Sequence, residues 1–189
     1  DNTYGNPFQR QNGGTNTFFD FSTFQDVEVA TGGSVVEQQT SGVTINVVTK
    51  RGTNQFKGGA RFFYVSDRFQ SDNTPQEAID EGFETNKTRF IREYGAELGG
   101  PLIKDRLWIW GAGSRQDIGL QLTGEDPFGN TIHSDTKLQP WTAKINAQIT
   151  PANAASLYYQ YSHRLESGVG NSPTRPPETQ ERLDIPTHY

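Results

Sequence analysis

From Trp141 to Arg164 the side chains change character at every step. Trp141, Ala143, Ile145, Ala147 and Ile149 alternate with Thr142, Lys144, Asn146 and Gln148; after Thr150-Pro151-Ala152-Asn153, Ala155, Leu157, Tyr159 and Tyr161 alternate with Ser156, Tyr158, Gln160, Ser162 and Arg164. A period of two residues fits extended backbone and excludes a helix, because only in a strand do successive side chains leave opposite faces. The intervening turn-formers make the two runs a hairpin with one apolar and one polar face.

The same period recurs upstream. Phe56, Gly58, Ala60, Phe62 and Tyr64 oppose Lys57, Gly59 and Arg61, while Phe90, Arg92, Tyr94, Ala96 and Leu98 oppose Arg89, Ile91, Glu93, Gly95, Glu97 and Gly99. The turn at 101–106 leads into a hairpin partner over 107–115. Strands are therefore expected near 56–66, 89–100, 106–117, 140–150 and 154–164. A shorter pair is expected from Val27 and Val29 and from Val43, Ile45 and Val47, flanking Gly32-Gly33 and a helical turn over Glu37–Ser41. Residues 1–24 read as loop leading into an aromatic cluster of Phe18, Phe19, Phe21 and Phe24. Tight turns lie at one end of the long strands. Polar connections lie at the other, over 66–88 (acidic, with a short helix near Pro75–Glu81), 116–139 and 165–180.

Composition narrows the environment. Of 189 residues, 32% are strictly hydrophobic and 57 are Ser, Thr, Asn or Gln, a thin supply for a water-excluded core. The longest apolar runs, Phe62–Val65 and Leu107–Ala112, fall far short of the roughly 18 residues a membrane helix needs. A membrane barrel has no such requirement, since its strands alternate lipid-facing and lumen-facing side chains over about ten residues. A soluble antiparallel sheet with one wet face gives the same period. The asymmetric loops, the polar inner face and the Trp and Tyr near strand ends favour the barrel.

Net charge is −5 with both signs interspersed, which lacks the basic footprint of a nucleic-acid binder. No cysteine is present, so thiolate metal sites and cysteine nucleophiles are excluded. No methionine is present either, so the chain is expected to be a piece of a longer polypeptide whose leader cannot be read here.

No pattern points to catalysis. His133, His163 and His188 lack partners at ligand spacing, so no metal site is expected. The acidic stretch Asp67–Glu84 lacks the spacing of a calcium loop and reads as solvated. The glycine pairs at 13–14, 32–33, 58–59 and 99–100 form neither a phosphate loop nor a nucleophile elbow, and read as turns, bulges and points of close packing. Glu93 and Glu97, on one strand face with Arg89, read as lumen ion pairing rather than an acid–base pair. The phenylalanine cluster reads as the small core of the N-terminal unit.

Three stretches carry a family resemblance: Phe24–Gly33, Ser41–Gly58 and Tyr94–Trp108. The most specific contains Thr49-Lys50-Arg51-Gly52-Thr53-Asn54. Together they resemble the junction of plug and barrel in TonB-dependent outer-membrane receptors and transporters of the Oar-like (carboxypeptidase-regulatory-like) group. The resemblance covers about residues 20–115, with 140–164 similar in pattern only. It implies an all-β chain: residues 1–52 as the C-terminal part of a plug, followed by residues 53–189 as the first antiparallel strands of a transmembrane β-barrel in the bacterial outer membrane. It implies active transport of an unidentified bulky ligand, without enzyme activity or cofactor. Implied partners are outer-membrane lipid and a TonB-type periplasmic energy-coupling protein, acting through a segment upstream of Asp1. The family's N-terminal domain, its TonB box and the first part of its plug are absent from this sequence, and about 22 strands are needed for the whole barrel. Leu183, Ile185, Thr187 and Tyr189 faintly mimic a closing strand, but Pro186 interrupts them. The alternative is a non-transport interaction or surface-assembly protein using the same sheet.

Overall fold

The structure, a computed structural model, describes residues 18–31, 43–71, 74–82, 85–169, 174 and 181–188. Two antiparallel sheets account for most of them. The smaller pairs β1 (Phe24–Thr31) with β2 (Val43–Thr49), the expected N-terminal pair. The larger is an uninterrupted meander of β3 (Lys57–Ser66), β4 (Lys87–Ile103), β5 (Leu107–Glu125), β6 (Thr131–Thr150), β7 (Asn153–Val169) and β8 (Glu181–His188), paired in chain order. The sheet does not close, and β3 and β8 are its two edges. The helical turn expected over Glu37–Ser41 lies outside the described residues.

All five long strands form, and most outrun their expected ends. Strands β5 and β6 continue through most of the expected 116–139 loop, leaving a turn at 126–130. Ile118 and Leu120 sustain the ladder there opposite Thr136 and Ser134, and the Asp126 carboxylate ties the turn by accepting from the amides of Phe128 and Asn130, both at 2.8 Å. Strand β7 likewise runs on to Val169 before the 170–180 connection. In the 67–86 connection, α1 (Gln76–Asp80) follows Pro75, as the sequence suggests. The sixth strand, β8, departs from expectation, because Pro186 does not interrupt it and stands opposite His163. A strand paired on one side only needs few of its amides, so proline costs least there. Pro140 acts differently in the interior strand β6: the β5–β6 pairing lapses between Gly113↔Trp141 and Gln116↔Leu138.

Register decides the two faces. Gly59, Glu97, Ala112, Thr142 and Gln160 stand abreast across β3–β7, and all lie on the face against which residues 18–31 and 43–54 dock. One register step toward the 126–130 turn, Ala60, Ala96, Gly113, Trp141 and Tyr161 stand abreast on the opposite face. The adjacent residues Trp141 and Thr142 show the difference, at 59% and 6% exposed. The uncovered face holds Leu98, Ile109, Leu157 and Tyr159, all exposed, and carries no charge over several registers. Trp141 lies flat across Gly113, where an added Cβ would stand 2.7 Å from the indole. Such an apolar band with aromatic residues along its margin is what a bilayer selects.

An arginine at Ile145, within that band, is expected to cost about 2–4 kcal/mol of folding stability in lipid, and one at Ser156 on the polar face about 1 kcal/mol or less. Equilibrium unfolding of the intact protein in bilayers measures both, and equal costs would refute the assignment of faces.

Candidate functional site: a segment docked on the polar face

The described residues before β3, 18–31 and 43–54, lie against the polar face and touch β3 through β7. Its first anchor is a turn. Asp20 caps the 3-10 turn Phe21–Thr23 by accepting from the Ser22 amide at 2.9 Å, and Thr23, 1% exposed, returns its hydroxyl to the Asp20 carbonyl at 2.6 Å. Asp-x-Ser-Thr is a capping pattern legible in the sequence. What the sequence does not reveal is where the other carboxylate oxygen goes.

It goes to Arg61 on β3. The guanidinium donates to Asp20 Oδ2 at 2.6 Å, to Ser22 Oγ at 2.7 Å and to Glu93 Oε1 of β4 at 2.9 Å. One side chain thus joins the segment to two strands, and its planar fork suits the task. Burial pushes the Asp20 carboxyl up, but hydrogen bonds from Arg61, Ser22 and Ser114 outweigh it and hold the group below the usual carboxylate range.

Further anchors follow along the chain. The Phe18 amide donates to Ser162 Oγ at 3.2 Å, Gln160 donates to the Phe18 carbonyl at 3.4 Å, and the Arg164 guanidinium lies 5.3 Å over the Phe18 ring. Ser162 and Gln160 are fully covered, at 0% and 2% exposed. At the end of β2, Lys144 donates to Thr49 Oγ1 at 2.7 Å, and Lys50, the next residue, reaches both Glu97 oxygens at 2.8 Å.

The motif at 49–54 then turns the chain into the wall. Gly52 lies so close to the wall that an added Cβ would stand 2.4 Å from the Ile109 carbonyl oxygen, a position only glycine fills. The Asn54 carbonyl accepts from the Asp105 amide at 3.0 Å and the Trp108 indole at 2.7 Å, while its amide donates to the Asp105 carboxylate. Asp105 has φ 62°, so Asn54 braces a left-handed residue in the β4–β5 turn.

Glu93 and Glu97 form lumen-side ion pairs as the sequence suggests, though with Arg61 and Lys50 rather than Arg89. The ladder is irregular between Thr88 and Phe90, and Arg89 turns to Asp135 at 3.4 Å. Phe19, Phe21 and Phe24 stack with ring centroids 5.8 Å apart, yet Phe21 is 82% exposed, so they form an open cluster rather than a closed core. His163 pairs with Asp184 and His188 with Tyr159 on the uncovered face. Between the segment and the wall lies a cavity of about 480 Å³ flanked by Phe18, Phe21, Arg61, Phe63, Glu93 and Leu138. Among the described residues no three His, Asp or Glu side chains converge on a metal position.

Residues 48–126 match the outer membrane beta barrel domain family. The chain is 31% identical over 122 residues to the TonB-dependent transporter Oar of Myxococcus xanthus, covering 59% of this chain and 11% of that protein. No solved structure matches. The family resemblance read from 24–33, 41–58 and 94–108 is borne out: the chain is similar to Oar-like outer-membrane β-barrel proteins, and its place is the bacterial outer membrane.

Asp20→Asn is expected to weaken docking by about 1.5–3 kcal/mol, the worth of a hydrogen bond to a charged group. Because the Asp20 pKa is depressed, its contribution is complete above the ordinary carboxylate pKa of about 3.9 and is lost as pH falls through the lower folded value. Hydrogen exchange at Ser22 and Thr23, corrected for intrinsic rates, should rise in both cases; unchanged protection in Asp20→Asn would remove Asp20 from the anchor. Asn54→Ala is expected to raise exchange at Asp105 while leaving Thr23 protected.

Proposed function

From its Oar-like place in the outer membrane, we propose that this chain belongs to a TonB-coupled active importer for a bulky ligand. Residues 1–52 are the C-terminal part of its plug, and residues 53–189 begin its barrel wall. The observation that carries this reading is the manner of docking. The segment is held by hydrogen bonds and ion pairs on a mostly polar face, where Trp110 and Ala112 are the buried apolar side chains of the β5 stretch it crosses. The polar contacts exchange for water when the segment moves, so the interface can open and re-form while exposing few apolar side chains.

In this mechanism a periplasmic protein pulls on chain upstream of Asp20. The Arg61 bridge yields first, because breaking it leaves Arg61 still paired with Glu93 and the Asp20 carboxylate free to hydrate. The Lys50, Gly52 and Asn54 contacts stay closed and keep the pull from reaching the wall. These groups hold and release the segment and take no part in bond making or breaking.

The test needs no ligand. Residues 1–189 lack cysteine, so Thr23→Cys in the full-length protein, read against the same protein without the substitution, supplies a buried reporter on this segment. Labelling of that thiol in intact cells by a polar maleimide is expected to rise several-fold when the energy-coupling system is active and to fall back with an uncoupler. Labelling indifferent to energisation would sink the importer reading in favour of a static surface-assembly role.

A further inference from the structure

The uncovered face changes abruptly above its apolar band. Arg92, Asp117 and Lys137 stand abreast on β4, β5 and β6, and Arg115, two residues from Asp117 on the same face, reaches it at 2.9 Å. Three cations thus surround one carboxylate. Among the described residues, neither Arg92 nor Lys137 forms an ion pair, and both are exposed. Arg92 instead stacks over the rings of Phe90, at 4.5 Å, and Tyr64, at 5.9 Å. Neighbouring strands lie about 4.8 Å apart, so Arg92 and Lys137 bracket a gap of roughly 10 Å with the Arg115 guanidinium within it.

We propose that Arg92, Arg115 and Lys137 form a lipid-facing seat for a phosphate group of outer-leaflet lipopolysaccharide. Three features support it together. The first is height: the patch begins where the charge-free band ends, just beyond Trp141 and beside Tyr94, the level at which aromatic side chains meet lipid headgroups. The second is side: it lies toward the longer connections, the extracellular end of a barrel of this kind, where the headgroups are phosphorylated sugars. The third is chemistry. A guanidinium held over aromatic rings is presented edge-on with its donors unspent, and arginine and lysine together are the usual receivers of phosphate. Asp117 fixes Arg115 and leaves the patch two charges positive.

The test uses full-length protein extracted from outer membranes in mild detergent, with retained lipopolysaccharide measured by mass spectrometry. Arg92→Ala with Lys137→Ala is expected to lower retention at least fivefold. Lys104→Ala with Arg106→Ala, which removes the same charge at the opposite end of the strands, should leave it unchanged. Asp117→Asn, which takes away the carboxylate between Arg92 and Lys137, should raise retention, a gain that a merely misfolded variant would not show. Wild-type protein in nanodiscs should bind lipid A but not its dephosphorylated form, and 10 mM inorganic phosphate should not displace it. Equal retention in the two double variants, binding of dephosphorylated lipid, or displacement by inorganic phosphate would each overturn the assignment. These readings do not depend on energy coupling, so they stand or fall apart from the importer proposal.

Discussion

A bilayer offers no hydrogen-bonding partner to a peptide group, and the rest of this structure follows from that shortage. Each backbone N–H and C=O at membrane depth must be paired within the protein, at a cost of several kcal/mol for every one left over. A meander of neighbouring antiparallel strands meets the demand with the shortest connections, as β3–β8 do. It also explains why the hydrophobic content is so low. Only one face of each strand needs apolar side chains, because the other faces water and the docked segment. The edges of β3 and β8 remain as an obligation that the barrel meets only when further strands close it.

Legibility in the sequence tracked how local each signal was. Alternation is local, so the long strands and their faces could be read directly, as could the helical turn after Pro75. The upper parts of β5 and β6 were harder, because Gln, Thr and Ser outside the membrane have no apolar partner to mark the period. Strand β8 was obscured by Pro186, whose meaning depends on whether a strand has one neighbour or two. Docking was least legible. Arg61 could be assigned to the polar face, but nothing nearby in sequence says that Asp20 will meet it 41 residues away. Arg89 shows the converse, since one ladder irregularity sends it away from the face that simple alternation assigns it.

The two faces also divide the labour of charge. On the covered face, charges come in pairs that bridge separate pieces of chain: Asp20 with Arg61, Lys50 with Glu97. On the uncovered face they are absent along the apolar band and appear only past its margin. The same residue types therefore hold a docked segment on one side and mark the water boundary on the other. Exposure alone would not separate these roles, because the register has to be known first.

Asn54 bears on how the wall is built. Its contacts with Asp105 and Trp108 close a loop of about fifty residues, and they brace the backbone of the very turn that starts the β4–β5 hairpin. A hairpin turn is ordinarily settled by its own few residues long before distant chain arrives. Here the left-handed residue has its support supplied from outside the hairpin. The final bracing of the β4–β5 turn is therefore shared with the junction at Gly52, so the ends of a long loop and a local hairpin are completed by one set of contacts.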